Sequence, residues 1–273
     1  MTRTKLVTTC ATTLFVALSL VACDQGSGSS FARKSTTTSS QQSPVDDGTS
    51  SNGEENELPD DADTGDAGDA TGQPAPALSA VDINAARTAL GSLPTRGFSP
   101  NIPKYDRNEF GKPWSDDVTV DGGHNGCDTR NDILARDLTD VEFKPAKRNC
   151  IVTKGKLNDP YTNTTIDFKR GRKSSDLIPI DHVVALGDAW YSGAYQWDAD
   201  RRRNFANDPI NLQATNRESN TQKSAKNAAE WLPPNTAYQC EYVGRQITIK
   251  STYGLSVTPA EKNAMEKVLA TCS

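Results

Sequence analysis

Apolar side chains recur at helical spacing in four segments of the chain: 78–93, 126–138, 219–232 and 258–272. The last is the clearest, because Thr258 and Glu261 stand as a capping box around a proline at the first helical position. In the first segment Ser79 is the expected cap and Gly91 the expected end. Asp128 is the expected cap of the second segment. The pattern therefore predicts four helices.

Alternating or β-branched apolar runs predict strands between these helices. A hairpin is expected within 149–171, with Asn158, Asp159 and Pro160 as its turn. Three further runs favour strands: DLIPIDHVVAL at 176–186, NLQAT at 211–215 and QITIK at 246–250. Mixed helices and strands in just under 200 residues predict an α+β fold, with residues 78–273 as a single domain.

The first 22 residues have the pattern of a signal peptide. Two basic residues precede the apolar stretch LFVALSLVAC, which is too short to span a bilayer. The four residues up to Cys23 read LVAC and resemble the lipobox of bacterial lipoproteins, which implies cleavage before Cys23 and lipidation of its thiol. The alternative is an ordinary secretory signal that contains a cysteine. Both readings predict export, and the first adds a membrane anchor.

Residues 23–77 are rich in Ser, Thr, Gly and Asp and predict a disordered tether. This segment has eleven acidic and two basic side chains, and the signal has two basic ones. The rest of the chain is therefore left with a net charge of +2, against −5 for the whole chain. A mildly basic domain permits a polyanionic partner, which the charge of the whole chain would argue against.

Four of the six cysteines lie in the predicted domain. An even count in an exported chain indicates two disulfides. We predict pairing between sequence neighbours, Cys127 with Cys150 and Cys240 with Cys272. A zinc site is disfavoured because the chain has no CxxC spacing.

Histidine is rare in this chain, and His182, one of only two, directly follows Asp181 at the end of a predicted strand. Asn211 begins the next strand, Asn220 follows nine residues later, and Lys223 comes after it. An imidazole can take a proton from water near neutral pH, and oxygen ligands suit a hard divalent cation. These residue types can therefore supply a proton acceptor and oxygen ligands for a metal.

The order DH, N, N with NTQK resembles the ββα-metal core of HNH nucleases. The blocks NGCDTRNDILARDL, DPYTNTTIDFKRG, IDHVVALGDAWYSGAYQW, FANDPINL and AAEWLPPN extend the likeness to a family of exported actinobacterial HNH endonucleases. The resemblance covers essentially residues 80–273. It implies a ββα-metal core within one disulfide-bonded domain, and a metal-dependent endonuclease that cuts DNA, or RNA, with low sequence specificity.

The resemblance also assigns roles. His182 would be the general base, Asn211 would hold the loop that orients it, and Asp181 and Asn220 would bind Mg²⁺ or Mn²⁺. Because adjacent side chains of a strand point to opposite faces, a bend is needed to bring residues 181 and 182 to one site. The alternative for the asparagines is a role in turns or helix caps.

Four basic residues are candidate contacts to nucleic-acid phosphates: Arg130, Arg170, Arg172 and Lys223. Arg130 could instead pair with acids on its own helix, and Lys223 could be a solvated lysine. The run of arginines at 201–203 is a further candidate, whereas His124 is favoured as an exposed turn residue. We predict no protein partner.

Two other functions are compatible with the sequence. One is a surface module that binds nucleic acid or a wall polymer without cleaving it. The other is a hydrolase of a different extracellular phosphodiester.

Overall fold

The computed structural model describes residues 80–97, 99–146, 149–172 and 174–273. Its seven α-helices are α1 Ile83–Ser92, α2 Thr129–Asp137, α3 Leu186–Tyr191, α4 Ala199–Asn207, α5 Arg217–Lys223, α6 Gln239–Tyr253 and α7 Pro259–Leu269. Its five strands are β1 Leu138–Phe143, β2 Val152–Asp159, β3 Thr164–Lys169, β4 Ile180–His182 and β5 Leu212–Ala214. The described part of the chain is therefore α+β, as its pattern predicts.

Two antiparallel sheets organise the strands. The first has the order β1-β2-β3, and its β2–β3 hairpin confirms the hairpin predicted for 149–171. The predicted turn is wrong in place, because Asn158 and Asp159 pair with β3 and the turn comprises residues 160–163. The second pairs β4 with β5, so that His182 lies opposite Leu212. Helix α5 follows β5 after a two-residue connection. The chain thus runs strand, strand, helix through the segment that carries the candidate chemistry.

The sheet formed by β4 and β5 has a separate apolar core on each of its two faces. Helix α2 packs on one side of β4 and β5, where Ile133 and Leu134 meet Ile180 and Leu212. A larger core on the other side contains buried side chains of α1, α3, α4, α6 and α7. Strand β4 lies between the two cores, which is why all three of its residues are buried.

Two disulfides close the fold, and both predicted pairings are confirmed. One joins Cys127 to Cys150 with Cα atoms 5.2 Å apart. The other joins Cys240 to Cys272 with Cα atoms 5.8 Å apart, and it fastens the end of the chain to the start of α6. The predicted capping box of Thr258 and Glu261 is present at α7.

The strand predicted at QITIK is wrong. These residues form the middle of α6, the longest helix, whose buried side chains include Tyr242, Gln246, Ile249 and Tyr253 at helical spacing. Packing against α1 and α7 outweighs the β-propensity of the isoleucines, which is a weak local preference.

Several predicted boundaries also move. Helix α1 is capped by Asp82 and runs through Gly91 to Ser92. Only residues 180–182 of the run 176–186 form a strand, because α3 begins at Leu186. Helix α5 starts at Arg217 and ends at Lys223, well short of the predicted stop at residue 232.

The predictions for the signal peptide, lipidated Cys23, the tether and the cap Ser79 lie outside the described residues. Among the helices that the structure does describe, none is both long and apolar enough to cross a membrane.

Candidate active site around His182

His182 ends β4 with its imidazole turned toward the α2 side of the sheet. The side chain is only 8 % exposed and its ring stacks on that of Trp114, with centroids 6.0 Å apart and planes at 13°. Its Nε2 lies 2.9 Å from the carbonyl oxygen of Ala206. Because a carbonyl can only accept, Nε2 carries the proton and Nδ1 keeps its lone pair. The geometry selects one neutral tautomer.

The environment keeps this imidazole uncharged. The pKa of His182 is lowered from 6.5 to about 3, first because burial disfavours the imidazolium and next because the positive charge of Arg107 is near. A neutral histidine keeps the lone pair that can accept a proton, which a histidinium lacks. A pKa this low also makes the free imidazole a weak base, and an anion bound beside Arg107 would raise that pKa.

A small crevice opens beside His182. Its volume is about 20 Å³, which is room for about one water molecule. One wall is formed by the segment 107–114 and the other by Ala206 and Asn207. A wider groove that includes Leu177 and residues of α5 shares no lining residue with it.

Asn207 supplies a polar group to this crevice. The residue is 1 % exposed, and its Nδ2 donates to the carbonyl oxygen of Arg203 at 2.9 Å. Its buried Oδ1 accepts no hydrogen bond from any described residue. Buried acceptors are nearly always paired, so this oxygen is suited to receive a hydrogen from a water in the crevice.

Asn211 connects the two ends of the segment 183–211, which lies between β4 and β5. Its Oδ1 accepts from the backbone N–H of Val184 at 2.8 Å, and its Nδ2 donates to the carbonyl oxygen of the same residue at 3.3 Å. Its own carbonyl oxygen accepts from the N–H of Val183 at 2.8 Å. The fully buried asparagine therefore holds the segment that follows His182.

Asp181 points away from His182. Its Oδ1 accepts from Lys223 Nζ at 2.9 Å and its Oδ2 accepts from the Tyr161 hydroxyl at 2.6 Å. Tyr161 belongs to the core on the opposite side of the sheet from Trp114. The backbone stays paired through residues 180–182, so the bend that would bring Asp181 and His182 together is absent there.

This placement does not fit a divalent cation at Asp181. Both carboxylate oxygens are engaged and a lysine ammonium already balances the charge. Asn220 lies half-buried within α5, whose cap is Asn216, so the alternative role of Asn220 as a helix cap does not hold. Within the described residues, no group of three or more His, Cys, Asp or Glu side chains is arranged to hold a metal.

The four predicted phosphate contacts are differently placed. Lys223 is fully buried, so a phosphate contact does not fit its position. Arg130 is half-buried and donates to the carbonyl oxygens of Ser175 and Ile178, which hold its guanidinium against the fold. Arg170 is likewise used, donating to Val152 O and Asn131 Oδ1. Arg172 is exposed.

The arginine run at 201–203 is tied to the fold as well. Arg201 donates to the Tyr253 carbonyl and lies over the Trp197 ring. Arg202 and Arg203 pair with acidic side chains of nearby segments. His124 is exposed in its loop, as its favoured interpretation holds.

Sequence reasoning missed the wall of the crevice. The segment 107–114 contributes Arg107, Lys112 and Trp114, none of which stands in a recognisable motif. The signal that was present is an aromatic residue, Trp114, inside a polar and glycine-rich stretch with no helical or strand pattern. Such a residue packs against other side chains, which here are the imidazole of His182 and the apolar core next to α2.

Comparison with known proteins gives two matches. The family model described as "GmrSD restriction endonucleases, C-terminal domain" matches residues 128–268. A protein of Arthroderma benhamiae described as "Uncharacterized secreted protein" is 37% identical over 203 residues, which is 73% of this chain and 92% of that protein. No solved structure matches the chain.

Proposed function

Because the chain belongs to the family of GmrSD restriction endonuclease C-terminal domains, we propose that it is an endonuclease. Its substrate would be nucleic acid, with DNA first and RNA second, cut with low sequence specificity. We further propose that β4, β5 and α5 form an HNH-type ββα core. The observation that carries the proposal is a buried, neutral His182 at the edge of a crevice sized for one water.

His182 acts as the general base in this proposal. A water in the crevice donates one hydrogen to Asn207 Oδ1 and the other to His182 Nδ1, and its oxygen attacks the phosphorus as that second proton moves to the imidazole. The P–O bond opposite the attacking oxygen breaks, and the leaving oxygen takes a proton from solvent. The Nε2–H bond to Ala206 fixes the ring and steadies the imidazolium that forms. Asn211 acts indirectly, because it fixes the backbone that follows the base.

The metal dependence implied by the HNH resemblance stays a prediction. Mg²⁺ or Mn²⁺ would stabilise charge on the phosphate oxygens. Asp181 does not fit as a ligand while it is bound to Lys223 and Tyr161. We therefore assign no catalytic step to Asp181, and dialysis against a chelator followed by metal addition tests the dependence directly.

We propose export as the setting of the reaction. Three observations support it: the signal pattern at residues 1–22, the two disulfides, and a relative described as secreted. Anchoring through lipidated Cys23 is the more specific form of this proposal. Mass spectrometry of the mature N-terminus, with Cys23→Ala as control, distinguishes an acylated cysteine from a plain secretory cleavage.

Plasmid nicking by the full chain, with its disulfides formed, tests the nuclease. Wild type is compared with His182→Ala and with His124→Ala, which removes the other histidine from an exposed loop. We expect His182→Ala to lose at least about 100-fold in rate, the usual contribution of a general base. His124→Ala should cleave like wild type, and circular dichroism should show all three folded.

The outcomes separate the candidate functions. Nicking that persists in His182→Ala contradicts the assignment of the base. No cleavage of DNA or RNA with any divalent metal contradicts the nuclease itself. Binding without cleavage then favours a surface module, and digestion of a wall polymer favours another phosphodiester hydrolase. Asn207→Ala should lower kcat more than it changes KM, since it positions water and not substrate.

A further inference from the structure

Two cations stand at the rim of the His182 crevice. Arg107 begins a short 3-10 helix, Arg107–Phe110, and Lys112 follows it by two residues. Both line the crevice together with His182, and both side chains are exposed. Arg107 is near enough to lower the pKa of His182, which places its charge close to the imidazole.

These cations differ from the other basic residues near the site. Neither Arg107 nor Lys112 forms an ion pair with a carboxylate in the described part of the chain, whereas Arg202 and Arg203 both do. The phenol group of Tyr105 is next to Arg107, and the carboxylate of Asp106, which caps the 3-10 helix, is near that phenol without forming an ion pair with Arg107. Two cations that no direct ion pair neutralises, beside a neutral base, form a local site for an anion.

We propose that Arg107 and Lys112 bind the phosphate group that is cleaved, and hold it against His182. The inference rests on the proposed nuclease function and names the part of the substrate that the site recognises. An arginine fork can contact two phosphate oxygens at once, and a lysine adds a point charge. The phosphate would lie at the rim, outside the space for one water, and contacts to phosphate oxygens are independent of base sequence, so recognition is of the phosphodiester backbone.

This assignment replaces the phosphate contacts expected from sequence. Arg130 and Arg170 donate to internal acceptors and Lys223 is buried. Residues 107 and 112 also lie ahead of the segment that the family model matches, which begins at residue 128. The phosphate site is therefore a contribution of the N-terminal part of this domain.

Binding without cleavage is the decisive measurement. The full chain with His182→Ala is titrated into a fluorescein-labelled DNA oligonucleotide at several salt concentrations, and anisotropy gives Kd. Arg107→Gln and Lys112→Gln are added singly to this background. Lys267→Gln, on an exposed position of α7, is the matched control, and Arg172→Gln tests the sequence-based candidate.

We expect each crevice variant to weaken binding about tenfold and to lower the salt dependence of log Kd by about one unit. The control should stay within about twofold of its parent, and in the active background the same two variants should lose kcat/KM. An unfolding midpoint equal to that of the parent protein shows that the substitutions, which are at exposed positions, leave the fold intact.

Equal Kd values for the crevice variants and the control overturn the proposal. A loss of DNA affinity in Arg172→Gln alone, or no DNA binding by the parent protein, also overturns it. These results leave the nuclease proposal standing if wild type nicks DNA. Conversely, binding that depends on Arg107 and Lys112 in a protein that never cleaves supports the phosphate site and contradicts the nuclease.

Discussion

Lys223 Nζ donates to Asp181 Oδ1 at 2.9 Å and to the carbonyl oxygen of His182 at 2.8 Å. One buried ammonium thus joins the end of α5 to two successive residues of β4. The strand is short, and its geometry at His182 depends on this attachment as well as on its pairing with β5. The acid that precedes the histidine is used to build the site.

The first prediction concerns this buried pair. Lys223→Met or Asp181→Leu alone should reduce the free energy of unfolding by about 3–5 kcal/mol, because each leaves an uncompensated buried charge. The double variant Asp181→Leu with Lys223→Met should cost less than the sum of the two single losses. Urea unfolding followed by tryptophan fluorescence measures all of these. Additive losses would contradict a direct coupling.

The second prediction concerns the protonation of His182. Its folded pKa of about 3 lies below the unfolded value of 6.5, so the imidazole should stay neutral from about pH 5 to pH 8. As the pH falls from 6.5 toward 3 the unfolded chain takes up this proton first, and His182 then disfavours folding. Nitrogen-15 NMR of the two histidines, assigned with His182→Gln, checks this. A titration of His182 near pH 6.5 would refute it.

The third prediction concerns Asp132, a buried acid on α2. Asn125 Nδ2 donates to its Oδ2 at 3.0 Å, but burial is the larger effect and raises the pKa of Asp132 from 3.8 to about 7. Between these values the folded protein holds a proton that the unfolded chain has lost. Stability therefore falls as the pH rises through this window, by at most about 1.4 kcal/mol per pH unit.

Asp132→Asn removes this ionisation with little change of shape. Relative to wild type it should become increasingly stabilising from about pH 4 to pH 7, as measured by thermal unfolding at each pH. Asp167→Asn, at an exposed position of β3, is the control. A difference between Asp132→Asn and wild type that does not vary with pH would show that the carboxyl is ionised throughout.

The fourth prediction concerns the disulfides. Replacing Cys240 and Cys272 by serine should lower the free energy of unfolding by about 3–4 kcal/mol, because the bond closes a loop with a sequence separation of 32. The pair at residues 127 and 150, with a separation of 23, should lose nearly as much, since the entropy depends only on the logarithm of loop length. A loss below about 1 kcal/mol for either pair would contradict this account.

Local signals in the sequence were sufficient where an element depends on its own residues. The capping box at Thr258 and the cap at Asp128 fix the starts of α7 and α2. Local signals were insufficient where packing between elements determines the secondary structure. The isoleucines of 246–250 favour a strand locally, yet α6 buries them between α1 and α7 with Cys240 bonded to Cys272.

The site shows the same division. His182 and Asn211 could be singled out because rare or amide residues stand beside apolar runs. The direction of the Asp181 side chain could not be predicted in the same way. Alternation along a strand shows that Asp181 and His182 point to opposite faces, but only the partners Tyr161 and Lys223 show which face Asp181 is on. Nothing in the sequence indicated that Arg107 belongs to the site. Arg107 and His182 are far apart in the chain, and their proximity does not appear in any periodic pattern of residues.

The position of Trp114 has an evolutionary consequence. His182 lies in the segment that the family model matches, whereas the ring stacked on it and one wall of its crevice belong to residues before 128. The other wall, at Ala206 and Asn207, lies within the matched segment. Sequence change confined to the upstream stretch would therefore reshape one side of the crevice and leave the backbone around His182 as it is.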